Sequence, residues 1–304
     1  MQTNPVCPEQ FRQSVLAVPP LARDSDLTIN PEQNKRLIQY LESGGVSMLL
    51  YGGNANLYHV RVSEYADLLA MLESSAADGT LIIPSVGPAW GLMMDQADIL
   101  RQLQFPTAMV LPQNAVATES GFQTGFRRFV ERLERPAVLY IKEEGLLTPR
   151  GAAELVEDGL VSFIKYAIVR EDTSDDPYLE ELTQHVDPQK ICSGIGEQPA
   201  LIHLTKFQCV GYTSGCVCVN PVLSQAMLST IVDKDYDRAE QIRRTFEPLE
   251  NLRNEINPIR VLHEAVELAG IADTGPHLPF LSGIASTRRD ELQRVALQLR
   301  NHSA

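Results

Sequence analysis

One lysine in this sequence stands near the end of a short run of apolar and β-branched residues. Residues 160–167 read LVSFIKYA, and Lys165 is the sixth of them. A run of this kind is typical of a buried strand. Burial disfavours the charged form of a lysine, which makes a free amine available to attack a carbonyl carbon. The same side chain could instead extend its ammonium group into solvent at the strand end and take no part in chemistry.

The elements that would position Lys165 alternate regularly between strand and helix. Eight strand–helix units follow one another over residues 1–232, and only helical patterns follow in residues 233–304. This predicts an α/β fold, a (β/α)8 TIM barrel with a C-terminal helical extension. A doubly wound open sheet is the alternative, but no GxGxxG motif follows the first strand. We expect strands at residues 14–19, 46–51, 80–84, 107–111, 137–141, 160–165, 191–192 and 210–213.

The helices are predicted from capping residues, prolines and apolar spacing. Asn30 followed by Pro31, for example, is typical of a helix start, and Gly44 with Gly45 of its end. The predicted helices of the barrel cover residues 31–43, 63–75, 89–103, 119–133, 149–157, 177–185, 197–207 and 221–232. Those of the extension cover residues 235–246, 258–269 and 287–301.

In a (β/α)8 barrel the chemistry lies at the C-terminal ends of the strands, and this rule separates the six lysines. Only Lys142 and Lys165 fall at such ends, and Lys142 lies in the more polar loop KEE. Lys165 is therefore the better candidate for an amine nucleophile. Tyr140 ends the neighbouring fifth strand, where a phenol could move protons beside an imine. It could equally be an aromatic core residue.

Three loops at the same end offer groups that could bind a substrate. Gly53 and Asn54 follow the second strand and present backbone N–H groups suited to a carboxylate, although an ordinary turn would look the same. Gly194 after the seventh strand and Thr213 at the eighth could bind hydroxyls or a phosphate. These last two signals are weak.

Composition and charge exclude several classes of function. The chain has 39 acidic and 26 basic residues and a net charge of −13, which argues against broad binding to nucleic acid or an anionic membrane. No apolar run is long enough for a transmembrane helix, and the N-terminus lacks a signal-peptide pattern. The five cysteines are an odd number in a long chain, so we expect reduced thiols and a cytoplasmic protein. Cys216 and Cys218 would face one side of a strand as small apolar fillers.

We expect no metal ion at the site. None of the six histidines belongs to a cluster of histidine and carboxylate at a predicted strand end. His59 is the nearest, and it stands by itself.

These segments, taken in order, resemble the dihydrodipicolinate synthase / N-acetylneuraminate lyase family of class I aldolases. The segment Phe163-Ile164-Lys165 matches the family's Schiff-base lysine, Leu139-Tyr140 its strand-five tyrosine, and residues 52–56 its loop for the pyruvyl carboxylate. Ser193-Gly194 and Asn257-Pro258-Ile259 match further family positions. The resemblance covers nearly the whole chain. It implies Schiff-base chemistry on a 2-oxo acid without a cofactor, in a homo-oligomer that is a dimer or tetramer.

The departures from the family pattern argue against lysine biosynthesis. The threonine pair of the family loop is replaced by Gly53-Asn54, and its glutamate by Asn56. Residues 112–114 read PQN where the synthases carry a tyrosine from a neighbouring subunit. The loop after Tyr140 has no arginine to hold the carboxylate of an aldehyde substrate.

The resulting prediction is a class I lyase that cleaves, condenses or dehydrates a 2-oxo acid. Lys165 would form the imine, Tyr140 would move protons, and Gly53 with Asn54 would hold the carboxylate. A non-catalytic protein that binds 2-oxo acids and a phosphosugar aldolase are the alternatives.

Overall fold

The structure is a computed structural model that describes residues 1–303. Eight parallel strands pair in chain order and close into a barrel, because the first strand also pairs with the last. This confirms the predicted (β/α)8 fold. The strands, β1 to β8, are Leu16–Ala17, Met48–Tyr51, Leu81–Val86, Met109–Val110, Ala137–Ile141, Val161–Tyr166, Ile191–Ser193 and Gly211–Ser214.

Within residues 1–303, twelve α-helices surround and extend the barrel. One precedes β1, eight follow the eight strands in turn, and three form the C-terminal extension. They are, as α1 to α12, Pro8–Gln13, Pro31–Ser43, Val62–Ser75, Trp90–Leu100, Glu119–Leu133, Pro149–Glu157, Pro177–His185, Glu197–Thr205, Pro221–Val232, Tyr236–Glu255, Pro258–Leu268 and Ser286–Arg300.

Helix starts that were read from a capping residue and a proline lie where the sequence predicts them. The side chain of Asn30 accepts a hydrogen bond from the N–H of Gln33 at 3.0 Å, and Pro31 begins α2. Thr148 accepts one from the N–H of Gly151 at 3.0 Å, with Pro149 as the first residue of α6. A capped N–H group would otherwise lack a partner in the first helical turn.

The N-terminal helix α1 was not predicted. Its six residues are too few to show a helical period in the sequence. Phe11 of α1 is buried and packs edge-on against Phe163 of β6, with ring centroids 5.0 Å apart. The helix therefore adds an aromatic side chain to the barrel core near β6.

Helix α10 was predicted to end at residue 246 but continues to Glu255 through Pro248. Proline normally interrupts a helix because it has no N–H group and its ring crowds the preceding turn. Here α10 packs against α8, α9, α11 and α12. This packing stabilises the continuation, and it brings the junction of α10 and α11 to the mouth of the barrel.

Cys216 and Cys218 do not lie on a strand, so they do not share a strand face. Strand β8 ends at Ser214, whose hydroxyl accepts the N–H of Val217 at 2.9 Å and begins a 3-10 helix over Cys216–Cys218. Both cysteines are buried, which agrees with their reading as apolar fillers. All five thiols of the chain are free.

The extension α10–α12 packs onto the barrel through α8 and α9. The boundary at residue 233 remains a prediction, and residue 304 lies outside the described residues. No helix in the described part of the chain has the length and apolar character to span a membrane.

Candidate active site

A cavity of about 190 Å³ lies at the C-terminal ends of the strands. It is bounded by the ends of β5 and β6, by the loops after β2, β7 and β8, and by the junction of α10 and α11. All six residues that were predicted to react with a substrate or to bind it line this cavity. Their roles remain predictions. These residues are Lys165, Tyr140, Gly53, Asn54, Thr213 and Gly194.

The amine of Lys165 is almost fully buried at this cavity. Its residue is 4% exposed, and Nζ donates a hydrogen bond to the carbonyl oxygen of Gly194 at 3.2 Å. Burial lowers the pKa of the amine to about 7; the thiol of Cys192 opposes this shift, and the positive charge of Arg253 adds to it. An ordinary lysine titrates near pH 10.4, so at neutral pH a large share of Lys165 is free amine.

The close approach of β6 and the loop after β7 requires the glycine at position 194. A Cβ on Gly194 would lie 2.7 Å from the carbonyl oxygen of Tyr166 and 3.1 Å from Cγ of Lys165. The backbone N–H of Gly194 donates to that Tyr166 oxygen at 2.6 Å. Any larger residue would push the loop away from the lysine and remove the hydrogen bond that orients its amine.

Tyr166 and Asp176 fix the end of β6 beside Lys165. The hydroxyl of Tyr166 donates to the carboxylate of Asp176 at 2.6 Å, and Arg170 forms an ion pair with the same carboxylate at 3.1 Å. The side chain of Asp176 also caps α7 by accepting the N–H of Leu179 at 3.1 Å. Because successive residues of a strand face opposite sides, this network holds the backbone while Lys165 faces the cavity.

Tyr140 stands directly opposite Lys165 on the neighbouring strand. The two residues are register partners of β5 and β6, and Nζ of Lys165 lies 3.9 Å from the centre of the Tyr140 ring. The hydroxyl of Tyr140 makes no hydrogen bond to any group in residues 1–303. Burial raises the pKa of this phenol, and the charge of Lys142 partly offsets the effect. The phenol is therefore protonated and has no protein partner.

The loop after β2 is held in place by its own hydrogen bonds. Nδ2 of Asn54 donates to the carbonyl oxygen of Val18 at 2.8 Å, and the N–H of Asn56 donates to the carbonyl oxygen of Gly53 at 2.8 Å. The backbone N–H groups of Gly53 and Asn54 donate no hydrogen bond within the described part of the chain. The amide side chain of Asn54 is thus used within the protein, while the two backbone N–H groups of the loop remain available to a ligand.

The loops after β7 and β8 are less open than the phosphate alternative requires. The N–H of Gly196 donates to the carbonyl oxygen of Thr213 at 3.1 Å, and the hydroxyl of Ser214 accepts from Val217. The N–H of Gly196 is thus no longer available to a phosphate, whereas the hydroxyl of Ser214 can still donate. Gly194 and Thr213 still line the cavity.

Tyr58 lines the cavity and was not predicted from the sequence. It lies in a 3-10 helix, Leu57–His59, just after the glycine loop, and packs over Gly53. Burial is the main cause of its raised pKa, and the nearby Tyr140 and Glu143 add to it. In the sequence, only its position four residues after Asn54 could have indicated that it lies near the site.

Arg253 is the second cavity residue that the sequence analysis missed. It lies on the last turns of α10, beyond Pro248, where the predicted helix had already ended. Its guanidinium packs over Gly215, so that a Cβ at Gly215 would lie 2.7 Å from Nη2. Nη1 lies 3.9 Å from the thiol of Cys216.

Glu197, Cys216 and Glu250 form a buried group next to Arg253. One potential ligand atom from each lies within 4.8 Å of the others. The carboxylate of Glu250 accepts the N–H groups of Glu197 at 2.9 Å and Gln198 at 2.8 Å, which caps α8. Burial raises the pKa of both carboxyl groups. The group joins α8 to α10. Oε1 of Glu197 accepts the hydroxyl of Ser224 at 2.7 Å, and Oε2 of Glu197 has no hydrogen-bond partner in residues 1–303.

This chain is similar to known proteins in its fold. No protein-family model matches the sequence, and no curated protein matches it. Among solved structures, a dihydrodipicolinate synthase from Oceanobacillus iheyensis has a TM-score of 0.85 at 18% identity, over 97% of this chain and 98% of that one.

Two further structures are similar over nearly the full length. A prophage protein of the dihydrodipicolinic acid synthase family from E. coli K12, in complex with pyruvate, has a TM-score of 0.83 at 18% identity over 94% of this chain and 98% of that one. A catalytic lysine mutant of a Ruminococcus gnavus sialic acid aldolase has a TM-score of 0.84 at 15% identity over 96% of each chain. The chain therefore has the fold of these proteins.

Proposed function

We propose that this protein is a class I lyase that acts on a 2-oxo acid through a Schiff base on Lys165. The reaction is aldol cleavage, aldol condensation or dehydration. The observation that carries the proposal is the buried amine with a pKa of about 7 at the C-terminal end of β6. A buried lysine with a lowered pKa costs stability, and such residues are concentrated at reactive sites.

The residues present allow each step to be assigned. The free amine of Lys165 attacks the C2 carbonyl of the 2-oxo acid and forms a C–N bond, giving a carbinolamine. A proton delivered to its hydroxyl lets water leave, and the positively charged imine remains. The imine then draws electrons from the C3–C4 bond in aldol cleavage, while the C4 hydroxyl gives up its proton and leaves as an aldehyde, and C3 of the enamine regains a proton. In condensation or dehydration a C3–H proton passes to a base instead, and the enamine adds to an aldehyde or expels the C4 hydroxyl as water. Hydrolysis with one water returns the free amine.

Tyr140 is the proposed proton carrier for these steps. Its phenol is protonated at neutral pH, lacks a protein hydrogen-bond partner and lies beside the amine. It can give its proton to the leaving hydroxyl and recover it from the incoming amine or from C3. The N–H groups of Gly53 and Asn54 hold the carboxylate of the substrate, and the carbonyl of Gly194 orients the amine before attack.

The similar structures support this assignment by what their names state. One is a complex with pyruvate, the simplest 2-oxo acid, and another is an aldolase with a mutated catalytic lysine. We propose that this chain belongs with them in the dihydrodipicolinate synthase / N-acetylneuraminate lyase family. The synthase reaction itself is disfavoured, because the loop after β5 supplies Lys142 and two glutamates but no arginine.

The test is reductive trapping with pyruvate and borohydride, followed by peptide mass analysis. We expect one stable adduct, on the peptide with Lys165, and none in Lys165→Ala. Lys142→Ala is the matched control, because Lys142 is an exposed lysine at the next strand end, and it should label like the wild type. Labelling that stays in Lys165→Ala and disappears in Lys142→Ala would overturn the assignment. A protein that traps pyruvate but turns over no 2-oxo acid would instead be a binding protein.

A further inference from the structure

The charged side chains that line the active-site cavity all have the same sign. Lys142, Lys165 and Arg253 line it, and no aspartate or glutamate does. The chain as a whole carries a net charge of −13, so this local excess of positive charge runs against the composition. One cation is used by the proposed imine chemistry. The others indicate that the substrate has more negative charge than one carboxylate.

Arg253 has few partners for its guanidinium inside the protein. Nε donates to the carbonyl oxygen of Pro258 at 3.3 Å, and Nη1 has only the distant thiol of Cys216 at 3.9 Å. Within residues 1–303 it forms no ion pair, and Nη2 makes no hydrogen bond. The nearby carboxylate of Glu250 accepts two backbone N–H groups and forms no ion pair with Arg253. A partly buried guanidinium retains its charge and needs acceptors for its N–H groups.

The position of Arg253 sets where a second anionic group would lie. Lys165 is on β6, and Arg253 approaches from the α10–α11 junction over Gly215, which follows β8. Arg253 is close enough for its charge to lower the pKa of Lys165, after the larger effect of burial. The two residues thus line one cavity from different sides, and Tyr140 and the Gly53 loop bound the remainder.

We propose that Arg253 binds a second carboxylate on the far end of the substrate, so that the protein acts on 2-oxo diacids. This deepens the proposed function and rests on it. The planar guanidinium matches a carboxylate with two parallel hydrogen bonds, and Gly215 leaves room for that geometry. Residues 142–145 are not required for this contact, because they lie on the β5 side of Lys165, opposite to β7 and β8.

The test compares two ligands of equal chain length that differ in the second charge. Calorimetry would measure the affinity of the wild-type protein for 2-oxoglutarate and for 2-oxopentanoate. We expect 2-oxoglutarate to bind about 10- to 100-fold more tightly, the usual range for a charge-assisted hydrogen bond. Arg253→Gln should remove this preference, and Arg253→Lys should keep part of it. Gly215→Ala should weaken it, because the added Cβ displaces the guanidinium.

Arg244→Gln is the matched control, since Arg244 is an exposed arginine on the same helix and should leave the preference unchanged. Pyruvate trapping at Lys165 provides a separate readout: it reports on the Schiff-base proposal and should persist in Arg253→Gln, which also shows that this variant is folded. Equal wild-type affinities for the two ligands, or a preference that survives Arg253→Gln, would overturn the role of Arg253. If the preference for 2-oxoglutarate is lost in Lys142→Met but kept in Arg253→Gln, the second carboxylate binds at the β5 loop. That result would also overturn the role of Arg253.

Discussion

The amine of Lys165 lies over the face of the Tyr140 ring, with Nζ 3.9 Å from the ring centre. Contact with an aromatic face favours the ammonium form by about 0.5–2 kcal/mol. Burial acts in the opposite direction, and fully buried groups shift by up to about 3–5 pKa units, or roughly 4–7 kcal/mol. Burial is the larger effect, which is why the pKa of Lys165 falls to about 7 despite the ring. The ring therefore positions the amine without keeping it charged.

Imine formation should depend on pH through the titration of Lys165. The amine must lose its proton before it attacks, so the initial rate should rise about tenfold per pH unit below pH 7 and level off above it. The protein would be mixed with pyruvate at each pH, and the adduct fixed after a short interval by excess borohydride and measured by mass. A rate that still climbs between pH 8 and pH 10 would show an ordinary lysine and contradict the lowered pKa.

Replacing Lys165 by methionine should stabilise the folded protein near neutral pH. The folded pKa of about 7 lies below the unfolded value, so between these values the unfolded chain binds more protons and wild-type stability rises with pH. Below pH 7 the buried amine is charged, and the full cost of burying that charge lowers the stability of the wild type. This cost is a few kcal/mol, because each unit of pKa shift corresponds to about 1.4 kcal/mol. Lys165→Met should therefore be more stable by that amount at pH 6 and nearly equal at pH 10. Urea unfolding of both proteins at the two pH values measures the difference, and a methionine variant no more stable at pH 6 contradicts it.

Tyr140→Phe separates proton transfer from packing. Phenylalanine keeps the ring under the amine, so pyruvate should still bind and the imine should still form, although more slowly. Loss of general acid–base catalysis should lower kcat by about 10²–10⁴-fold. The measurement is steady-state turnover of the best 2-oxo acid from a substrate panel. Normal turnover would place Tyr140 in the core only.

The barrel and its lysine could be predicted because their signals are local. Strand β5 and helix α5 were predicted with the observed bounds, since each is a clear apolar or amphipathic run between turn residues. Arg253 could not be found, because Pro248 marks a helix end in a sequence and only the packing of α10 carries the helix through it. Tyr58 was missed because three residues of 3-10 helix leave no periodic pattern. Both reach the site through contacts between distant segments.

The protein should be a poor dihydrodipicolinate synthase. The loop after β5 has no arginine, and Arg253 approaches Lys165 from the opposite side. No arginine near the β5 loop would therefore bind the carboxylate of aspartate semialdehyde. Loss of a charge pair at such a site should cost roughly 10²-fold or more in rate. Coupled turnover of pyruvate with aspartate semialdehyde measures this. A kcat/KM of about 10⁴ M⁻¹s⁻¹ or higher, the lower end for ordinary enzymes, would contradict it.

Tyr58 should act together with Tyr140 in moving protons. It lies in the same chain and lines the same cavity, and its phenol forms no hydrogen bond within residues 1–303. The raised pKa of Tyr58, due first to burial and then to Tyr140 and Glu143, keeps it protonated and able to exchange a proton with its neighbour. Tyr58→Phe should therefore lower kcat by about 10-fold or more, with little change in pyruvate binding.

A double-mutant cycle tests whether the two phenols form one relay. If they do, Tyr58→Phe in the Tyr140→Phe background should cost little more, because a relay fails once either member is lost. Tyr178→Phe is the control, since its hydroxyl donates to the carbonyl oxygen of Leu147 at 2.8 Å outside the cavity. It should lower stability by about 1 kcal/mol and leave kcat unchanged. Strictly additive losses for Tyr58 and Tyr140 would show two independent roles, and an unchanged kcat in Tyr58→Phe would leave Tyr58 as a packing residue over Gly53.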